Sequence, residues 1–446
     1  MTIKTKNRII KTRIPAPGTS KIIKSLQKNE SRSMQGQLPI IWSKAEGHSL
    51  FDISGNKFID FTSTIFVTNI GHSNTKLINN LRKALDKKLL HSYAYFNDSR
   101  EKYLKNLIKF AGKHFEKAFL MSAGTEATEA ALKLMRLYGQ KNKKRRPGII
   151  CINGNWHGRT MGAQMMSGNE KQKEWIGYKD KNIHHIDFPY PWELNNISPK
   201  DFLRKSLDKL KKKIDLKKDV CGFMLETFQG WGAIFYPKEF VKEIANICKK
   251  NEILLTFDEM QSGFGRTGKK FGYEHYNVKP DLICCGKGMG GGVALSGVLG
   301  KKEIMDLPSI GEMSSTNSAN PLACVAGMSV IDEIKSKKIL EKVVKNGFYL
   351  NKGLNRIMKN NLNLINYVMG KGMVYALIFD KKINNIGEKL KKVCFNAMKN
   401  GLLVVYTGRE SIKIGPPLTI SKKAIEEGLE VLENEITKVF KDEVKR

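Results

Sequence analysis

What most constrains the fold of this chain is an alternation that sets in near residue 100. Short apolar runs at 119–121, 148–152, 220–225, 253–257 and 282–285 are separated by stretches such as 126–138 and 239–249, where apolar residues recur at helical spacing. Uninterrupted runs of that length read as strands buried on both faces. Strands that alternate with helices predict a mainly parallel sheet covered by helices, an α/β architecture. Two flanking patterns differ. Phe51-Asp-Ile-Ser-Gly-Asn-Lys-Phe-Ile-Asp60 alternates apolar and polar residues about a Ser-Gly-Asn turn and predicts a hairpin. Ile425, Leu429, Leu432 and Ile436 recur at helical spacing behind Ser421, a suitable cap, and predict a C-terminal helix.

At 446 residues the chain is long enough for one large domain and a smaller one, each with its own core. No apolar run is long enough to span a bilayer, and the basic stretch 1–23 lacks the apolar centre of a secretory signal, so a cytoplasmic protein without a membrane partner is expected. The seven cysteines are odd in number and form no CxxC pair, which argues against a disulfide framework or a zinc module. The net charge of +34 comes mostly from lysine, spread along a chain also rich in Ile and Asn, as a compositional bias would produce. With no RNP motif, zinc finger or helix-turn-helix pattern, no specific nucleic-acid partner is expected, although the charge suits anionic substrates.

Ligands of open parallel sheets bind beyond the carboxyl ends of the strands. There, 253–257 runs into Asp258, and 282–285 runs into Gly286-Lys287-Gly288. The run 119–121 leads to Ser122-Ala-Gly-Thr-Glu126 at the start of a helix, whose free N–H groups and dipole favour an anion. Gly154-Asn-Trp-His-Gly158, after another strand, offers an aromatic face. A pyridoxal-5′-phosphate (PLP) site needs these parts: a lysine to form an imine with the aldehyde, a carboxylate to keep the ring nitrogen protonated, a helix N-terminus for the phosphate, and a ring to stack on the cofactor. Each part has a plainer reading taken singly, as a solvated loop lysine, a helix cap or a core tryptophan. Their shared edge is what favours the cofactor.

The run Leu255-Thr-Phe-Asp-Glu-Met-Gln-Ser-Gly-Phe-Gly-Arg-Thr-Gly268, followed by Pro280-Asp-Leu-Ile-Cys-Cys-Gly-Lys-Gly288, resembles the class III aminotransferases, fold-type I PLP enzymes that include the ornithine, acetylornithine and 4-aminobutyrate aminotransferases. The resemblance extends over about 36–440 through Gly124-Thr-Glu-Ala127, Trp156-His-Gly-Arg-Thr160, Thr316 with Asn320-Pro-Leu-Ala-Cys324, and Pro416-Pro-Leu418. It implies a seven-stranded, mainly parallel sheet in a large PLP-binding domain (76–335) and a smaller α+β domain built from 36–75 and 336–446, preceded by a basic, poorly ordered arm (1–35). It implies that Lys287 holds PLP as a Schiff base and shuttles the proton, that Asp258 holds the ring-nitrogen proton, and that Gln261 meets the ring hydroxyl. Trp156 would stack on the ring where relatives usually carry Phe or Tyr. Glu226 would support the ring network, and Gly124 and Thr125 would bind the phosphate together with Thr316 of a second subunit, in a homodimer with shared sites. Arg159 would take a substrate carboxylate. His157 and Arg266 read as structural.

The sequence departs from the family on the substrate side. Many members carry a Glu in a Gln-Gly-Glu turn that pairs with a C-terminal Arg. Here the turn reads Gln229-Gly-Trp231, and Lys413 stands at the arginine position. Lysine is a point charge without the two-pronged fork of arginine, and tryptophan cannot neutralise it. Trp231, Lys413 and Phe66 are therefore expected, with Arg159, to line a redesigned substrate pocket. The implied activity is a ping-pong transfer from a primary amine or ω-amino acid to a 2-oxo acid, pyruvate or 2-oxoglutarate. The same scaffold would serve an amino-acid epimerase or aminomutase, which needs no 2-oxo acid.

Overall fold

The computed structural model describes residues 2–194 and 196–441. They form two compact units: Thr75–Gly230 with Ile234–Lys338, and 2–74 with Trp231–Ala233 and 339–441.

The first unit is built on a seven-stranded sheet in the order Lys117–Met121, Ser296–Gly300, Leu282–Cys285, Leu254–Asp258, Val220–Glu226, Gly148–Ile152, Ile183–Ile186. Only Ser296–Gly300 runs antiparallel to its neighbours; the other pairings are parallel. The central strands are buried at every residue, which their unbroken apolar runs require of a sheet covered on both faces. The helix Gly124–Lys141 supplies one cover. Its Ala127, Ala131, Leu134 and Met135 share a core with Ile149, Met224, Leu254 and Cys284. Full burial of each larger side chain contributes about 2 kcal/mol. Register then sets the site, because Asp258 lies level with Glu226 on one side and Cys284 on the other. Two strands escape the sequence pattern. Ser296–Gly300 (SGVLG) and Ile183–Ile186 (IHHI) carry glycines or histidines where an apolar run would announce a strand.

In the second unit a six-stranded sheet follows the path Ile3–Lys4, Ile9–Ile10, Lys57–Asp60, Ser49–Asp52, Trp42–Glu46, with Leu402–Leu403 paired parallel to Lys57–Asp60. The expected hairpin is the Ser49–Asp52 and Lys57–Asp60 pair. The reading of 1–35 as a poorly ordered arm is corrected here. Ile10 and Ile14 are buried with Leu50, Phe58, Met398 and Leu403, Arg8 Nε meets Glu427 Oε1 at 2.7 Å, and Thr19–Asn29 is a helix. The basic residues hid a few isoleucines whose burial fixes the segment. A four-stranded sheet, Ile365–Lys371, Val374–Phe379, Ser411–Ile414, Val405–Tyr406, completes this unit. The C-terminal helix Lys422–Val439 starts at Ser421, whose side chain accepts from Ala424 N–H. Among the described residues no helix is long and apolar enough to cross a membrane.

Candidate active site

Within the larger unit, Asp258 closes its strand nearly fully buried. One carboxylate oxygen accepts the Met260 N–H at 3.0 Å, and the other lies 2.9 Å from His157 Nδ1. The His157 ring is buried and its Nε2 has no partner among the described residues, which assigns the proton to Nδ1 and makes it a donor to Asp258. His157 is itself fixed, its N–H donating to Ser167 Oγ and its carbonyl accepting from Thr128 Oγ1. Its role was missed in the sequence, although its place beside Trp156 in the turn after a strand could have suggested one. Glu259 next door does different work. Burial pushes it up to about 7, yet it accepts from Thr227 Oγ1, Ser262 Oγ, Gly272 N–H and Tyr273 N–H and pins that loop.

Lys287 follows the neighbouring strand at φ +43°, a left-handed conformation that costs a lysine about 1 kcal/mol or more and is held by the packing around it. Burial lowers its pKa, against the opposing pull of Asp258 and Glu226. A neutral amine is what attack on an aldehyde needs. Beside it two glycines let the backbone pass closely around Met260. A side chain at Gly124 would meet Met260 Sδ at 2.8 Å, and one at Gly286 would meet the same sulfur at 2.6 Å and come within 3.6 Å of Gly124 Cα. Gly124 opens the helix Gly124–Lys141, and Glu126 turns its carboxylate back to the Ser122 and Ala123 N–H groups. Thr125 Oγ1 bonds Thr160 Oγ1 at 2.6 Å and is crossed closely by Gly158, where φ is +142° and a Cβ would collide with it.

Glu226 accepts the Trp156 N–H at 3.0 Å and the Gly230 N–H at 3.3 Å, so it positions the turn that carries the indole. A side chain at Gly230 would fall 2.6 Å from Gln261 Nε2, which brings Gln261 into the same group. Arg159 is exposed and lays its guanidinium over the Trp156 ring at 4.7 Å. Thr316 lies on an exposed loop, where its carbonyl takes a bond from His91. A glycine at a helix start, a desolvated lysine, a fixed carboxylate and an indole fit PLP.

The smaller unit holds the other substrate-side residues. There Lys413 meets Phe66, and Trp231 meets Arg409, which the sequence reading had not singled out. The Arg409 guanidinium stacks 3.8 Å above the Trp231 ring and also bonds Glu410, while Ser411 Oγ donates to the Trp231 carbonyl. Lys413, nearly buried on the Ser411–Ile414 strand, holds its ammonium 4.9 Å from the centre of the Phe66 ring. Phe66 ends four consecutive residues at positive φ, Ser63 to Phe66. Such a left-handed run costs roughly 1–2 kcal/mol per residue. It is held by Ser63 Oγ on the Gly415 carbonyl and by the Phe66 ring against Gly415, where a Cβ would have no room.

The sheet and the larger unit's cluster define a fold-type I PLP-dependent enzyme. The sequence profile described as Aminotransferase class-III matches residues 31–436. The acetylornithine aminotransferase of Caldanaerobacter subterraneus is 32% identical over 90% of this chain and 95% of its own length. The ornithine aminotransferase of Brevibacillus brevis is 34% identical over 87% and 91%. In fold, the chain is similar to the ornithine aminotransferase of Toxoplasma gondii, in a structure described as showing partial PLP occupancy at the active site, with TM-score 0.84, 24% identity and 96% of each chain covered. The chain belongs to the class III aminotransferases and is a PLP-dependent enzyme that transfers amino groups to 2-oxo acids.

Proposed function

We propose that Lys287 and Asp258 carry the chemistry, that Gly124, Thr125, Trp156, Glu226, Gln261 and a partner's Thr316 hold the cofactor, and that Arg159, Trp231, Lys413 and Phe66 select the substrate. The observation that carries this reading is the pairing of a desolvated Lys287 with a buried Asp258 that keeps two hydrogen-bond donors on its carboxylate. PLP, when bound, supplies the electron sink that lets an amino group and a Cα proton leave. Asp258, held as an acceptor by Met260 N–H and His157 Nδ1–H, retains the proton of the pyridine nitrogen. Lys287 Nζ, whose burial favours loss of its proton, takes and returns the substrate's Cα proton. Gly124 and Thr125 meet the phosphate with N–H groups at a helix start.

On the substrate side, Lys413 faces an aromatic ring and Trp231 is stacked by an arginine. This arrangement favours a single carboxylate met by a point charge, with Arg159 as a second anchor, and an ω-amine or other primary amine as donor. The names of the relatives agree with an ω-amino donor. The enzyme works as a homodimer in this proposal. Leu90, Tyr95, Phe96 and Ile310 are exposed apolar side chains of the kind a second subunit covers, and Thr316 shares this loop region through His91. Seven unpaired cysteines suit the reducing cytoplasm.

The test is the visible spectrum of the PLP-loaded protein, recorded before and after excess L-glutamate and then with ω-amines. A visible band that glutamate bleaches supports the Lys413 and Arg159 anchors. A band bleached only by amines lacking an α-carboxylate removes Lys413 from that role. The absence of any band removes Lys287.

A further inference from the structure

The positive charge is not laid out evenly. Lys and Arg make up 77 of 446 residues, yet they fill five of the six positions 141–146 and six of the ten positions 209–218, and the fold joins these two runs. Lys144, nearly buried, donates to the carbonyls of Lys217 and Asn251 at 2.5 and 2.9 Å, and the Arg145 N–H bonds the Lys218 carbonyl at 2.7 Å. Between them lies a cavity of about 640 Å³ whose lining includes Arg145, Lys211, Lys213, Lys250 and one acid, Asp215.

The local acids are already engaged. The Asp215 carboxylate accepts the N–H groups of Lys217 and Lys218, Asp219 takes both prongs of Arg145, and Asp208 pairs with Lys211. Among the described residues Lys212, Lys213 and Lys250 are not paired with any acid. Exposed like charges held around a concavity raise the local concentration of anions. No aromatic ring lines the cavity, so it offers nothing on which bases could stack, and a ligand would be met through its charges. The strands Gly148–Ile152, Val220–Glu226 and Leu254–Asp258 begin beside these runs, whereas Glu226 and Asp258 stand at the opposite ends. The seven residues of Val220–Glu226 separate the two edges by roughly 20 Å.

We infer that this cavity binds a linear chain of phosphates, read by charge alone, at a site separate from the candidate active site. The probe is fluorescently labelled inorganic polyphosphate, titrated into the full-length PLP-loaded enzyme at several salt concentrations. Binding weakens steeply with salt, as counterion release requires. Lys211→Glu with Lys213→Glu and Lys250→Glu, all at exposed positions, lowers affinity at least about tenfold. Lys345→Glu with Lys352→Glu and Lys381→Glu makes the same change in net charge on the smaller unit and lowers it less than about twofold. Lys213→Gln with Lys250→Gln, which adds no negative charge, keeps that ordering. Transamination is unchanged in every variant. Equal losses from the two triple variants would show diffuse attraction and overturn the site. So would the absence of binding to the unaltered enzyme, or tighter binding of an RNA homopolymer of equal phosphate number, because bases would then be read.

Discussion

The cluster around Asp258 and the cluster around Lys413 are held in different ways. Asp258 and Glu226 are the last residues of paired parallel strands, and main-chain donors or buried rings fix their carboxylates. Lys413 sits on the paired strand Ser411–Ile414, but its ammonium rests on the Phe66 ring at the end of a strained left-handed turn, and Trp231 is held by the Arg409 stack and one serine hydroxyl. Groups fixed by strand register tolerate little change, because moving one moves the sheet. Side chains whose ends only stack on rings can be exchanged singly, and Trp231 and Lys413, the positions expected from the sequence to differ from the family, are of that kind. The contrast predicts large, all-or-none losses in the first cluster and graded shifts of preference in the second.

The largest effect belongs to Lys287. Lys287→Ala removes the visible band and lowers turnover by about 10⁴-fold or more, while the protein stays folded by circular dichroism. A variant that still transaminates would falsify the assignment and erase the contrast at its strongest point.

Asp258→Asn comes next, with turnover falling about 10³-fold. It also makes a pH prediction that does not depend on activity. In the apoprotein, PLP capture by Lys287 speeds up as pH rises and the ammonium loses its proton. Burial lowers that pKa, and the negative charge of Asp258 works against the lowering. Removing the charge should therefore move the limb to lower pH. A limb that stays or moves upward means that Asp258 does not act on Lys287. His157→Phe tests the positioning of Asp258 itself: turnover falls roughly 10–100-fold, as when a supporting hydrogen bond is lost. Substitution by Gln, which can still donate to Asp258, restores part of it. No difference between Phe and Gln reduces His157 to a packing residue.

The two clusters were also unequally legible in the sequence. Strand ends can be read because apolar runs stop abruptly, which puts Asp258 and Lys287 on one edge from the sequence alone. His157 escaped because its place beside a stacking candidate hints at the site but not at Asp258, 101 positions away, as the group it faces. The strands Ser296–Gly300 and Ile183–Ile186 escaped because pairing on the sheet, not local composition, makes them strands. Arg409 escaped for a related reason. Its partner Trp231 is 178 positions away, and no periodicity links them.

Restoring the family's pair sharpens the comparison. Trp231→Glu with Lys413→Arg raises kcat/KM for L-glutamate about tenfold relative to ω-amines, since a fork replaces a point charge. The single Lys413→Arg gives less, because Trp231 cannot take the place of a neutralising carboxylate. An unchanged ratio in the double variant separates both residues from substrate selection.

The smallest expected effect decides what Arg409 does. An exposed guanidinium on an indole contributes about 0.5–1 kcal/mol, worth a two- to fivefold change in an equilibrium. If the stack sets the position of Trp231, Arg409→Leu raises KM for the preferred donor by that factor and leaves kcat alone. Arg409→Lys recovers only part of the loss, because an ammonium cannot lie flat on the ring. A fall in kcat at constant KM would point the other way: the stack would then matter to the reacting groups, and the smaller unit's cluster would belong with the first kind of site, where single changes are not graded.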